Sequence, residues 1–196
     1  QGSDGALWYV LQMIIVPSAS STITFDRIVR VTTNGQITLF TPPPLASGRA
    51  TPQVGGLTAG PDGALWFTAN DATTNNGPMD YRLGRITTAG VITYHTLPSQ
   101  HRPVDITAGP DGALWFTANN GIERMALQGA LTSYPVSGLF MTDLRFTPDG
   151  VLWFEGYSSG KAGQTYLGRL DRAHHTITLI TLPMTNFLFP LGIGPD

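Results

Sequence analysis

The sequence predicts an all-β fold, a β-propeller of four-stranded antiparallel blades with four repeats per chain. Three observations predict it. An Asp turn recurs at Asp4, Asp62, Asp111 and Asp149, and Asp196 begins another, at spacings of 58, 49, 38 and 47 residues. All four tryptophans (Trp8, Trp66, Trp115 and Trp153) fall four residues after one of these Asp, and none lies elsewhere. An Arg with an apolar follower recurs in phase, as Arg30-Val31, Arg85-Ile86, Arg124-Met125 and Arg169-Leu170. Short strands repeating every 40 to 50 residues are the mark of propeller blades, and solenoid rungs are shorter.

Each period reads as four strands. The first is "GGLTAG", "VDITAG", "DLRFT" or, at the end of the chain, "PLGIG". The second is the "ALWF" run, the third carries the Arg, and the fourth is "QITLF", "VITYH", "ALTSY" or "TITLI". Val, Ile, Thr and aromatic enrichment between Gly, Pro, Asn and Asp punctuation is strand chemistry. In "GPDG", Pro presets φ, Asp bonds its own backbone, and Gly takes the φ > 0 position. The turn Asp residues therefore read as structural, and each Trp reads as packing between neighbouring blades.

The repeats set boundaries at 1–53, 54–102, 103–140 and 141–186. Residues 187–196 are expected to return to the first blade as its missing strand, so that one domain of four complete blades closes on strand overlap. The same chain could instead form half of an eight-bladed ring, by a dimer exchanging C-terminal strands, or be part of a longer ring.

Composition narrows the partners. Apolar residues make up 41% of the 196, charged residues 12%, and the net charge is −2. Basic residues are scattered without a patch, which argues against nucleic acid. No apolar run approaches the roughly 18 residues of a membrane span. With no Cys, disulfides and thiolate metal sites are excluded, and the compartment is not indicated. No G-x-S-x-G, P-loop or HExxH pattern occurs.

Antiparallel alternation puts the uniform Asp-Gly, "TTNG" and "TTAG" turns on one face and the connections of variable length on the other. From Trp to the following Arg the chain runs 22, 19, 9 and 16 residues. The variable face, free of scaffold duty, is where a ligand is expected. Its long segments are 11–26, 42–53, 70–81 and 155–166. The binding-face candidates are Asn70, Asp71, Arg102, Asn119, Asn120, Glu155 and Tyr157, facing a small molecule or a protein. Asp105 and Asp143 share one position, six residues before the turn Asp. They read as acceptors for free N–H groups at the strand start, or as a pair able to hold a cation or take a proton. His101 is the His placed to serve a site. His174 and His175 read as turn residues, and His95 as an outer-strand residue.

The runs "ITAGPDGALWFTAN" and "GRITTAGVITYHTLP" resemble the repeats of the virginiamycin B lyase family, most strongly over residues 54–120. The resemblance implies a propeller and a magnesium-assisted elimination that opens the ester of a cyclic depsipeptide of the streptogramin B type. It also implies a His seven residues before the turn Asp and a Glu three after the Trp. Those positions hold Gly55, Val104, Thr142 and Phe189, and Leu11, Ala69, Ala118 and Gly156. The scaffold is present without the catalytic pair. The expected function is a rigid binding or interaction scaffold. The alternative is a magnesium-dependent lyase with a relocated acid/base pair drawn from Asp105, Asp143 and His101, the first two also being the metal candidates.

Overall fold

The computed structural model describes residues 1–18, 21–45, 51–70, 80–98, 101–119, 121–158, 160 and 163–183, with backbone alone for 13–25. Every described element is a β-strand. The chain divides into two compact units, residues 1–99 and 100–196.

In the first unit, β1 (Leu7–Ser18), β2 (Ser21–Val31) and β3 (Ile37–Phe40) form an antiparallel sheet in that order. β4 (Gln53–Ala59), β5 (Leu65–Asn70), β6 (Tyr81–Ile86) and β7 (Ile92–Thr96) form a second. In the second unit, β8 (Ile106–Ala108), β9 (Leu114–Ala118), β10 (Gly121–Met125) and β11 (Leu131–Pro135) make one four-stranded sheet. β12 (Leu139–Phe146), β13 (Leu152–Ser158), β14 (Thr165–Asp171) and β15 (Thr176–Thr181) make the other.

Two of the expected long connections are corrected: 155–158 and 165–166 of the segment 155–166 are strand, in β13 and β14, and the segment 11–26 changes more. Residues 11–26 are not a loop, because β1 and β2 run on as a hairpin paired from Leu7↔Val31 to Ile15↔Ile23. The alternation of "STITFDRIVRV" is strand chemistry, and the neighbouring "LQMIIV" supplies a partner for it. Residues 71–79 and 46–50 of the other expected loops lie outside the described residues, as do 187–196, the expected closing strand.

The turns repeat in atomic detail. Gly5, Gly63, Gly112 and Gly150 donate to the carbonyl three residues back, and all have φ between 70° and 80°. The residue two before each turn Asp donates to the carbonyl four residues ahead of itself. This is a type I turn closed by a Gly in the left-handed region, a common three-residue hairpin loop.

The turn Asp organises the blade. Trp8, Trp66 and Trp115 donate their indole N–H to Oδ1 of Asp4, Asp62 and Asp111 at 3.0–3.1 Å. Arg30, Arg85 and Arg124 donate from Nε to Oδ2 of the same residues at 2.6 Å. One carboxylate thus ties the second strand to the third. Burial raises these carboxyls, but the bonds from Arg, Trp and the backbone outweigh it and hold all three below the usual range.

The clamp needs a Gly two residues before the Asp. A Cβ on Gly109 would lie 2.5 Å from Trp115 Nε1, and Gly2 and Gly60 are crowded in the same way. In the fourth sheet this position is Thr147, whose hydroxyl donates to Asp149 Oδ1 instead. Trp153 is correspondingly half-buried. Trp115 is 1% exposed and packs between sheets, against Tyr134 of its own and Phe146 of the next, at centroid distances of 5.2 and 5.7 Å.

Candidate functional site

The inner strands carry bulges at one equivalent place. In β4 the register shifts between Val54 and Leu57, and in β12 between Met141 and Asp143. Ahead of β8, the Val104 N–H donates to the Thr117 carbonyl while the Thr117 N–H donates to the Asp105 carbonyl, so two residues oppose one. A bulge re-aims a side chain out of the alternating pattern. The residues placed there are Gly55, Val104 and Thr142.

Within the second unit, two of these bulges border a cleft of about 180 Å³. Val104, Ala118, Met141 and Thr142 form part of its lining, with Arg102, Asn119, Phe140 and Tyr157. Phe140 and Tyr157 are 51% and 40% exposed, with ring centroids 5.3 Å apart. The Thr142 Oγ1 is buried and has no hydrogen-bond partner among the described residues.

Next to the cleft, Asp105 and Asp143 meet across the two sheets. The Asp105 Oδ2 accepts from the Leu144 backbone N–H at 3.2 Å and from Arg145 Nη1 at 2.6 Å. Arg145 Nη1 is also 2.8 Å from Asp143 Oδ1. Asp143 and Arg145 sit two apart on β12 and so share a face of the strand. Burial, followed by the Asp143 side chain, pushes the Asp105 carboxyl up to about 6, with Arg145 and the Leu144 N–H pulling the other way. Glu155 pairs with Asp143 across the strands. Its Oε2 is buried without a hydrogen-bond partner among the described residues, and burial and then Asp143 raise its pKa.

The pair does not fit magnesium. A hard cation needs about six oxygen ligands, yet here the Arg145 guanidinium already lies between the two carboxylates. Among the described residues no group of three or more His, Asp or Glu is arranged to hold a metal ion.

His101 takes a different place. Its Nδ1 lies 3.2 Å from Oε1 of buried Glu123. Ser133 donates to the other carboxylate oxygen at 2.9 Å. Burial raises Glu123, against Ser133 and His101. Glu123 stands opposite Phe116, where β6 and β14 have Gly84 and Gly168 facing Phe67 and Phe154. A Cβ at either glycine would overlap the phenyl ring.

The model of the Virginiamycin B lyase family matches residues 1–193. The chain belongs to that family. No curated protein matches it in sequence. Among solved structures it is similar to a protein of unknown function from Dyadobacter fermentans, at TM-score 0.67 and 15% identity over 94% of this chain and 63% of that one. A gluconolactonase from Xanthomonas campestris matches at TM-score 0.53 and 16% identity, over 78% of this chain and 51% of that one. A calcium-binding regucalcin from Agrobacterium tumefaciens matches at TM-score 0.50 and 19% identity, over 67% of this chain and 44% of that one. At these identities the likeness is one of fold, that of β-propeller proteins. The chain spans 44% to 63% of the length of these three structures.

For a member of this family the cleft has a particular address. Val104 and Thr142 occupy the His position and Ala118 the Glu position implied by the resemblance, and all three line it. Of the residues expected on the variable face, Arg102, Asn119 and Tyr157 come together there. Glu155 lies beside it with Asp143. Asn70 ends β5 in the first unit, while Asp71 and Asn120 lie outside the described residues. His175 is in the last turn with its ring 4.9 Å from that of Tyr134, His174 Nδ1 is 2.8 Å from Asp171 Oδ2, and His95 packs on Trp66 at 5.0 Å.

Two residues escaped the sequence reasoning. Arg145 was legible only as the residue two after Asp143, on the same strand face. Glu123 was legible as a carboxylate at a place where two other repeats carry Gly.

Proposed function

We propose that the chain is a binding member of the virginiamycin B lyase family: a rigid β scaffold whose variable face holds a small ligand in the cleft of its second unit. The observation that carries this reading is the identity of three lining residues. Val104, Ala118 and Thr142 stand where catalysis by the family's chemistry calls for a His and a Glu. None of the three can take a proton at neutral pH, so a shaped cleft without a base is suited to binding. The test is incubation with a streptogramin B-type cyclic depsipeptide and magnesium, followed by chromatography and mass spectrometry. Elimination would give an isomer of unchanged mass, and hydrolysis a product heavier by one water. The expected result is neither.

One observation favours the second reading, a lyase with a relocated base. Asp105, pushed up to about 6, titrates where a general base works well. Its bonds to Leu144 and Arg145 weigh against it. Turnover that disappears in Asp105→Asn would overturn the binding reading in its favour.

The ring itself is part of the proposal. Among the described residues the first sheet has three strands where each of the others has four. This supports a return of 187–194 to that sheet, either within one chain or between two chains of an eight-bladed ring. Light scattering separates the two, because the strand-exchanged dimer requires twice the 21.0 kDa of one chain.

A further inference from the structure

We propose that the cleft takes a small planar carboxylate, with the anionic group on Arg102 and the flat body against Phe140 and Tyr157. This rests on the reading above that the cleft is a ligand site. It adds the ligand's charge, size and shape.

Charge comes from Arg102. The other arginines described here are occupied. Arg30, Arg85 and Arg124 clamp the turn Asp residues. Arg82 donates to Asp80, Arg145 to Asp105, and Arg172 to the Gly150 carbonyl. Arg169 lies within electrostatic reach of Asp149, and Arg27 also has an interaction. Arg102 has neither a hydrogen bond nor a charge partner among the described residues, and it lines the cleft. A guanidinium presents paired N–H donors that match the two oxygens of a carboxylate.

Among the described residues no carboxylate is part of the lining. The nearby Asp105 and Asp143 lie 2.6 and 2.8 Å from Arg145, so that cation offsets much of their repulsion of an anion.

Size and shape come from the walls. A volume of about 180 Å³ lies below the roughly 300–1,000 Å³ of sites for drug-sized ligands. A site of that size suits one ring bearing one acid group. Two large aromatic side chains exposed side by side offer faces and edges for such a ring. Thr142 adds a buried hydroxyl oxygen without a partner among the described residues, and an unsatisfied buried polar atom is costly unless a ligand or water meets it. Asn119 adds an amide on the rim.

The test uses the whole chain, ¹⁵N-labelled, with benzoate as probe and uncharged benzamide and ring-less acetate as comparators. Benzoate is expected to shift the backbone amides of residues 102, 104, 118, 119 and 140–142 saturably. Benzamide and acetate should each bind about tenfold more weakly, the size of one exposed charge-assisted contact or of a lost ring contact. Arg102→Gln, on an exposed side chain, should keep the fold and reduce benzoate to the level of benzamide. Phe140→Ala should weaken both aromatic probes by a similar factor. The advantage of benzoate should shrink at high salt.

Equal affinity for benzoate and benzamide, or benzoate binding unchanged in Arg102→Gln, overturns the carboxylate assignment and leaves the cleft a ligand site. Silence of these amides toward all three probes overturns both this proposal and the reading it rests on.

Discussion

Asp111→Ala should destabilise the second unit by about 2–3 kcal/mol, because one carboxylate there serves two strands. Trp115 is 1% exposed, so losing its acceptor at 3.1 Å strands a buried indole N–H, at a cost of about 1–3 kcal/mol. Arg124 loses a partner at 2.6 Å, but the pair is exposed and contributes about 0–1 kcal/mol. Asp149→Ala provides the internal control. Asp149 accepts from Thr147 at 2.5 Å, and among the described residues Trp153 makes no bond to it, so the loss should stay below about 1 kcal/mol. Asp111→Asn keeps an oxygen for the indole and should fall between the two. The assay is urea unfolding at pH 7 followed by tryptophan fluorescence, with melting temperature as a second readout. For a chain of this size about 2–3 kcal/mol corresponds to roughly 4–12 °C. If Asp111→Ala and Asp149→Ala agree within about 0.5 kcal/mol, the clamp is not what holds the blade and the turn Asp needs another explanation.

The remaining predictions probe crowding and charge. Gly109→Ala places a Cβ 2.5 Å from Trp115 Nε1, so it should cost at least as much as Asp111→Ala in the same unfolding assay. Gly84→Ala drives a methyl into the Phe67 ring and should cost about 1–3 kcal/mol by overpacking, and a neutral effect would contradict the packing. With Asp105 raised to about 6, the folded chain holds a proton that the unfolded chain releases above its ordinary pKa of about 4. Stability from this group is therefore greatest below about pH 4, falls as pH rises to about 6, and is level above that. Asp105→Asn cannot titrate, so melting curves should shift in its favour relative to the native chain between pH 4.5 and pH 7.5, and a constant offset would refute the assignment.

Much of the scaffold was legible because its bonds are local in sequence. Asp62 and Trp66 are four residues apart across a turn, and that turn fixes their distance, so a count of spacings finds the pair without the structure. Arg85 joins through the β5–β6 register, Trp66↔Arg85, whose in-phase recurrence was visible although its bond to Asp62 was not. The β1–β2 hairpin was missed for the opposite reason. Residues 11–26 have no counterpart in the other repeats, and the pairing of Ile15 with Ile23 depends on where the chain turns. The face holding Arg102, Asn119 and Tyr157 followed from strand direction alone. Their convergence on one cleft did not, because it depends on how β8–β9 and β12–β13 pack together.

The residues that break the repeat make a physical point. A position held by Gly109 or Gly168 is set by contact with a Trp or a Phe ring, and any side chain there must displace the ring or take over its role. Thr147 takes the role over by bonding Asp149 with its hydroxyl. Glu123, opposite the fully buried Phe116, instead accepts from Ser133 and lies against His101. His101 is the chain neighbour of Arg102, so the buried carboxylate lies beside the segment that carries the unpaired guanidinium. Neither Thr147 nor Glu123 lines the cleft, so these departures change the scaffold and leave the polar character of the lining to Arg102, Asn119 and Thr142.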